Sequence, residues 1–434
     1  MKRLKLLGRA FKYRNYRLFF SGQGISLIGT WTQQVALSWL IYRLTGSALL
    51  LGVVAFATQI PTSFVAPFAG VIADRLDRKK LLLGTQVLSM VQALVLAALV
   101  LTGTILTWHI VALSLFIGII NSFDMPARQA FVIQMVEKKE DLGNAIALNS
   151  AMFNGARFIG PTVAGVLVSA FGEGICFLLN GISYVAVLIA LAAIRVAPRK
   201  ENSRKAPILQ EMREGGSYAF HNLPILSILL LLATFSLAAS PYMVLMPIVA
   251  KDILHGDAHT FGFLMSSTGV GAVTATIYLA SQKNASGLLK LIPLASGVCA
   301  ASIAAFAFSW DIRLSMAFLF TAGFGMMVQI ASSNTIIQTI VDEDKRGRVM
   351  GLYAVFFLGT MPLGNLIAGA LAAKIGVQRT LLLGAVVCIM GASLFAARLR
   401  RLVCMLRPVF SKIEAIEAGA EPVPEVANPA PPKK

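Results

Sequence analysis

The stretch GVIADRLDRKK, residues 70–80, places six charged side chains among the seven positions from Asp74 to Lys80 of an otherwise largely apolar chain. Apolar runs flank it at 47–73 and 81–102, each meeting the roughly 20-residue length of a bilayer-spanning helix. Charge that is costly in hydrocarbon therefore falls in a loop between two spans. Working outward, further runs lie at 16–44, 107–131, 142–171, 174–196, 223–250, 260–282, 287–309, 313–340, 346–373 and 377–399, which brings the expected total to twelve. Backbone groups in lipid must pair within their own segment, and period-two alternation is absent, so the spans read as helices and not as barrel strands. The expected fold is an all-α integral membrane bundle.

Composition agrees. The 434 residues are 57% hydrophobic and 13% charged, against roughly a quarter charged in soluble domains. The net charge of +18 is sided, with most Lys and Arg on loops that share one side with both termini. This is the positive-inside pattern of a membrane protein and does not indicate a nucleic-acid partner. Both termini are thus expected in the cytoplasm, and the basic start MKRLKLLGRAFKYRNYRLFF reads as uncleaved. Cys176, Cys299 and Cys388 fall in expected spans and Cys404 in the tail, so no disulfide framework follows. With no Walker loop, zinc-ligand pair or HExxH stretch, the reading is a non-enzyme without cofactor or metal.

The chain divides into a basic segment (1–15), a six-helix bundle (16–196), a polar cytoplasmic linker (197–222), a second six-helix bundle (223–399) and a cytoplasmic tail (400–434). The tail is Ala-, Pro- and Glu-rich and expected to be disordered after about residue 418. Residues 133–172 slid onto 337–376 align Gln134 with Gln338, Gly143 with Gly347, Gly155 with Gly359, Gly160 with Gly364, Gly165 with Gly369 and Gly172 with Gly376. Matched glycines on the fifth and eleventh spans imply close helix approach. Duplicated halves of the same sense imply an axis along the membrane normal and a site between them.

The 70–80 loop resembles the G-x-L-A-D-R-x-G-R-K/R motif of the major facilitator superfamily through Gly70, Ile72, Ala73, Asp74, Arg75, Arg78 and Lys79; Asp77 stands where glycine is usual. FDMPARQAFVIQMV, NGARFIGPTVAG and SNTIIQTIVDEDKRGRVMGLY are similar to the exporter branch containing enterobactin exporters, macrolide efflux pumps and lysophospholipid transporters. The resemblance implies a cytoplasmic latch in which Asp74 caps the start of the eleventh span while the arginines pair with acids of their own half. It also implies a bacterial inner-membrane location and, through Gly155, Gly160, Pro161 and Gly165, the Gly-Pro motif of antiporters. The alternative for that stretch is plain helix packing, shared with Gly364 and Gly369.

Ionisable groups within spans are functional candidates. Asp124 and Arg128 share a helix face at i,i+4, either as part of the latch or with Asp124 as a proton carrier. Arg157, near mid-membrane and matched in the repeat by Met361, suits an anionic group on cargo or pairs within its own half. Gln33, Gln34, Asn121, Asn154, Gln329 and Asn334 are candidate cavity polar groups or interhelical hydrogen bonders, and Tyr242 and Tyr353 candidate aromatic walls. The reading is a monomeric secondary transporter that exports an amphipathic or anionic small molecule against proton entry. The alternatives are a lysophospholipid transporter without proton coupling and a non-transporting scaffold or sensor.

Overall fold

The computed structural model describes residues 9–195, 216–282 and 285–417, with 66–75 and a few other positions described by backbone alone. Eleven helices among the described residues are long and apolar enough to cross a membrane. The difference from twelve is α1 (Arg14–Thr45), which has 32 residues but is diluted by Arg14, Arg17, Gln23, Gln33, Gln34 and Arg43. It still runs the length of its neighbour α6 (Glu173–Ala193): Asn15 Nδ2 donates to Arg195 O at one end (2.8 Å), and Arg43 Nε to Glu173 Oε1 at the other (2.7 Å). A helix strapped end to end along a span crosses with it.

The remaining rods are α2 (Ala48–Arg75), α3 (Arg78–Leu101), α4 (Thr107–Gln134), α5 (Lys139–Phe171), α7 (Leu223–Ile253), α8 (Ala258–Ala280), α9 (Ala285–Ala307), α10 (Ile312–Ile340), α11 (Lys345–Ile375) and α12 (Val377–Glu417). Their outer faces are apolar, as lipid requires. Val87, Leu88, Val91 and Val95 on α3 and Val386, Val387, Met390 and Leu394 on α12 are all exposed. Helix ends carry the expected punctuation. Asp77 caps α3 by accepting from the Lys79 and Lys80 N–H groups, Asn222 caps α7, and Asp257 caps α8. Asp77 sits at φ −62°, so its position in the loop makes no demand for glycine. Gly172 (φ +79°) and Gly376 (φ +88°), a repeat-matched pair, turn α5 into α6 and α11 into α12 in a conformation that other residues rarely adopt.

Buried amides tie the amino half together. Gln33 donates to Gln92 (3.0 Å) and accepts from Asn180 (2.8 Å), linking α1, α3 and α6. In the carboxyl half, α7 is interrupted by π-helical turns at Phe235–Ala239 and Val249–Ile253, and α11 by one at Val355–Gly359. α12 continues beyond its expected span end: Leu402, Leu406 and Phe410, spaced four apart, bury against Ala219 and Val349. Residues 418–434 and most of the linker lie outside the described residues.

The halves meet along two glycine seams. Gly165 on α5 lies against Gly262 on α8, and Gly369 on α11 lies against Gly52 on α2. Gly165 and Gly369 are repeat mates, so the duplication read from sequence appears here as one contact made twice. Polar contacts reinforce the same region: Ser169 donates to Asp257 (3.2 Å), Thr162 and Ser266 hydroxyls lie 2.7 Å apart, and Asn365 donates to Gln59 (3.2 Å). Trp39 stacks on Phe261 with centroids 6.1 Å apart. These contacts run from mid-bundle to the end opposite the chain termini. Toward the terminal end, Gly143, Gly155, Gly347 and Gly351 have open space where a Cβ would lie. Gly155 is therefore not a packing glycine in this conformation, contrary to expectation, whereas Gly160, Gly165, Gly364 and Gly369 are.

Candidate functional site

Arg157 lies near the middle of the 33-residue α5, on the seam between halves. Gly160, one turn on, lets α5 press against Trp31 and the Ile28 carbonyl of α1. That approach carries the Arg157 guanidinium to the Trp31 ring, with Cζ 5.7 Å from its centroid, a cation–π distance. From the other half, α7 brings the Met243 thioether to 3.7 Å from Nη2. Tyr242, next to Met243 in the chain, is 2% exposed. Among the described residues no carboxylate lies within ion-pair distance of Arg157. A permanently charged group of five donors thus meets an aromatic face and a weak sulfur acceptor.

The other expected site residues separate into two sets. Gln34 is exposed on the α1 face shared with Trp31, Ser38 and Tyr42. Asn121 is exposed on α4, and Asn154 is half-buried and donates to Ser150 O. Gln33 does not line the gap; it is spent in the amide network of the amino half. Gln329 is fully buried within the carboxyl half, its amide without partners. Asn334 accepts from Gln338 on the same helix face (3.0 Å). The Tyr353 hydroxyl donates to Ile330 O (3.3 Å), joining α11 to α10.

Asp124 is 2% exposed and fully engaged: Oδ1 accepts from Thr85 (2.8 Å) and Gln86 (2.7 Å), and Oδ2 pairs with Arg128. All these partners belong to the amino half. In the charged loop, Arg78 donates to Ala130 O (3.3 Å), and Lys79 to Ala192 O and Ile194 O, the carbonyl end of α6. A cation there complements the helix dipole. Gly70, Asp74 and Arg75 end α2, where side chains lie outside the described residues. The start of α11 packs with its own half, where Lys345 pairs with Asp342 (3.1 Å) and lies over Tyr218.

Sequence reasoning missed the closure at the end of the bundle opposite the termini. The Tyr42 hydroxyl of α1 donates to Asp252 of α7, and Lys251 lies 5.6 Å from the Tyr42 ring. Around them a cavity of about 530 Å³ is lined by Tyr42, Thr45, Ser47, Ile248, Asp252 and Ala373, among others. An acid at the very end of a span was the available signal, but its partner is 210 positions away.

A helical bundle of two six-helix halves, joined along two glycine seams beside a mid-bundle cation, defines a membrane transporter of the facilitator fold. The comparisons agree, and the chain belongs to the transmembrane secretion effector family, whose model matches residues 10–415. It is 26% identical to the staphyloferrin A transporter of Staphylococcus aureus over 84% of this chain and 91% of the relative. It is 23% identical to macrolide efflux protein A of Streptococcus pyogenes, with 87% and 96% covered, and 25% identical to the multidrug efflux pump Tap of Mycolicibacterium fortuitum, with 89% and 95% covered. Among solved structures, a bacterial homologue of the human lysosomal transporter Spinster, inward-facing and unoccupied, superposes with a TM-score of 0.66 at 13% identity, covering 92% of this chain and 98% of that one. A bacterial homologue of ferroportin, also inward-facing, gives 0.65 at 14%, covering 90% and 98%. The chain is a multi-pass membrane transporter of this family.

Proposed function

We propose that this transporter exports an amphipathic, anionic small molecule by alternating access, driven by proton entry. With the termini in the cytoplasm, as the charge asymmetry implies, the terminal end faces inward and the Tyr42–Asp252 end is the outer gate. Cargo enters from the cytoplasm, meets Arg157, and leaves when the glycine seams part and the Asp74 loop closes the inner end on α11. The observation that carries this reading is Arg157: a mid-bundle cation at the junction of the halves with no acid beside it among the described residues.

Proton entry contributes about 2.3 kcal/mol per 100 mV for each charge moved. Asp124 is the candidate carrier, and its four-group network within α3 and α4 must come apart before it can take up a proton. Proteoliposomes test the whole reading. Efflux of a dye-labelled carboxylate amphiphile is expected to follow an imposed pH gradient and to fall in Arg157→Met. Movement indifferent to the gradient removes proton coupling, and movement of lysophospholipid alone makes this a lipid transporter instead.

A further inference from the structure

Two cations stand on the surface that α9 and α12 turn to lipid. Lys290 lies inside the apolar span Gly287–Ala307 and is exposed, on the stripe that continues through Leu294 (62% exposed) and Val298 (40%). The exposed aromatics Phe308 and Trp310, beyond the far end of α9, come 18 and 20 residues later in the chain, about 27–30 Å along a helix. The ammonium thus stands one hydrocarbon thickness from an aromatic belt, at the opposite headgroup level. On α12 the exposed Arg400 follows Ile389, Ser393 and Ala396, exposed residues at helical spacing. Among the described residues neither cation has an acid within ion-pair distance.

Packing puts the two on one groove. The helices run antiparallel, and the Ser296 hydroxyl of α9 meets the Cys388 thiol of α12 at 3.3 Å. Lys290 precedes Ser296 by six residues and Arg400 follows Cys388 by twelve, so both lie toward the terminal end, about 9 and 18 Å from that contact. Leu289 and Ile292 share a buried cluster with Phe395 and Leu402, in keeping with that register. Rotation agrees. Steps of about 100° per residue carry the α12 surface from Gly384 and Gly391, which meet α7, past Cys388 to Ala396, Ile389, Arg400 and Ser393. The same steps carry α9 from Ala295 and Cys299, which meet Gly325 of α10, past Ser296 to Gly297, Lys290 and Leu294. Both cations therefore border one lipid-facing groove, and their flexible stems let both charges reach a single headgroup at its terminal end. Like charges so placed favour an anion between them.

We infer that the groove between α9 and α12 is a seat for an anionic phospholipid, whose phosphate lies between Lys290 and Arg400 while an acyl chain runs along Leu294, Ile389 and Ser393. The chemistry recognised is a phosphodiester head without a compensating ammonium, as in phosphatidylglycerol; a zwitterionic head brings its own cation and gains little from two more. Basic pockets between spans hold anionic headgroups in this way. Arg398 and Arg401 stand on the arc of α12 turned away from the groove and take no part. Both helices belong to the carboxyl half, so the seat is carried by one body. It depends neither on which end of the transporter is open nor on the nature of the cargo.

The test uses the delipidated full chain in detergent micelles, titrated with phosphatidylglycerol or phosphatidylcholine of identical acyl chains, with binding read by native mass spectrometry and by thermal shift. The wild type is expected to bind phosphatidylglycerol more tightly and to be stabilised by it. Lys290→Gln and Arg400→Gln each weaken that binding about fivefold, the equivalent of about 1 kcal/mol per basic residue at an anionic surface, and leave phosphatidylcholine binding unchanged. Their lipid-free melting temperatures stay at the wild-type value, because both side chains are exposed. Arg398→Gln/Arg401→Gln keeps the preference, and inorganic phosphate does not displace the lipid. Equal affinity of the wild type for the two lipids overturns the inference, as does a preference that survives Lys290→Gln/Arg400→Gln. A loss as large in Arg398→Gln/Arg401→Gln assigns the preference to the general positive field of the terminal end and overturns the seat. An effect confined to Arg400→Gln removes α9 from the site, and displacement by inorganic phosphate shows an anion site that needs no lipid; either result overturns it too.

Discussion

Gly369→Ala tests whether the outer closure depends on backbone contact between halves. An added Cβ lies 2.7 Å from the Ala48 carbonyl oxygen and 2.9 Å from Gly52 Cα. Ordinary contact begins near 3.4 Å, so the shortfall is about 0.7 Å, and it falls on main chain that no rotamer change can relieve. Overpacking of this kind costs about 1–3 kcal/mol. The strain exists only while the outer end is shut, so it biases the protein toward the outward-open form by about 5- to 150-fold. The assay is the reaction rate of an impermeant maleimide with a cysteine placed at Ala373 in the outer cavity, with Cys404 replaced. Labelling should accelerate in Gly369→Ala and Gly52→Ala, less so in Gly165→Ala, whose added Cβ would meet Ala258 O at 3.1 Å. It should not change in Gly155→Ala or Gly347→Ala, which face open space. Equal rates in Gly369→Ala and wild type would refute the reasoning.

Three further outcomes are expected. Tyr42→Phe and Asp252→Asn each remove the hydroxyl–carboxylate bond across the outer gate, worth about 1.5–3 kcal/mol for a charged acceptor. Each should speed labelling of Ser47→Cys, and the double variant should do no more than the stronger single one. Asp124→Asn strands Arg128 in a half-buried site, at a cost below the about 3–5 kcal/mol of a fully buried broken pair; melting temperatures should show the loss, with part of it regained in Asp124→Asn/Arg128→Gln. Burial pushes the Asp257 carboxyl up, but donation from Thr260 N–H and the Ser169 hydroxyl outweighs it and leaves the group below its ordinary 3.8. With a depressed pKa in the closed state, the contribution to outer closure is complete above 3.8 and is lost as pH falls through the lowered value. Spin-label distances across α5 and α8 should therefore hold steady near neutral pH and lengthen only in strong acid, and Asp257→Asn should remove that transition.

The fold was legible because lipid imposes a coarse rule: long apolar runs, interrupted where the chain turns. The rule faltered only at α1, where polar side chains serve the inside of the bundle instead of water. The repeat was legible through glycine, whose missing side chain is a contact requirement; Gly165 and Gly369 met it, and Gly155 did not. Arg157 stood out because a central guanidinium is rare in membrane spans. Tyr242 stood out as a candidate aromatic wall, but its place next to Met243 at the Arg157 seam did not. Trp31, Tyr242 and Met243 come from distant segments, and which apolar or aromatic groups converge on a charge depends on packing between helices that no local pattern records. The same limit explains Gln33 and Gln34, adjacent in the chain. One faces the amide network and the other the gap, a difference of a single 100° step around the helix.

The two glycine seams sit on opposite flanks of the central site, one joining α5 to α8 and the other α2 to α11. A bulky residue introduced at one flank leaves its mate intact, so the lesion is lopsided. The bodies then pivot about the surviving edge, opening like a book with one torn page instead of separating evenly. Damage confined to one flank should therefore skew the path by which cargo escapes before it abolishes escape altogether.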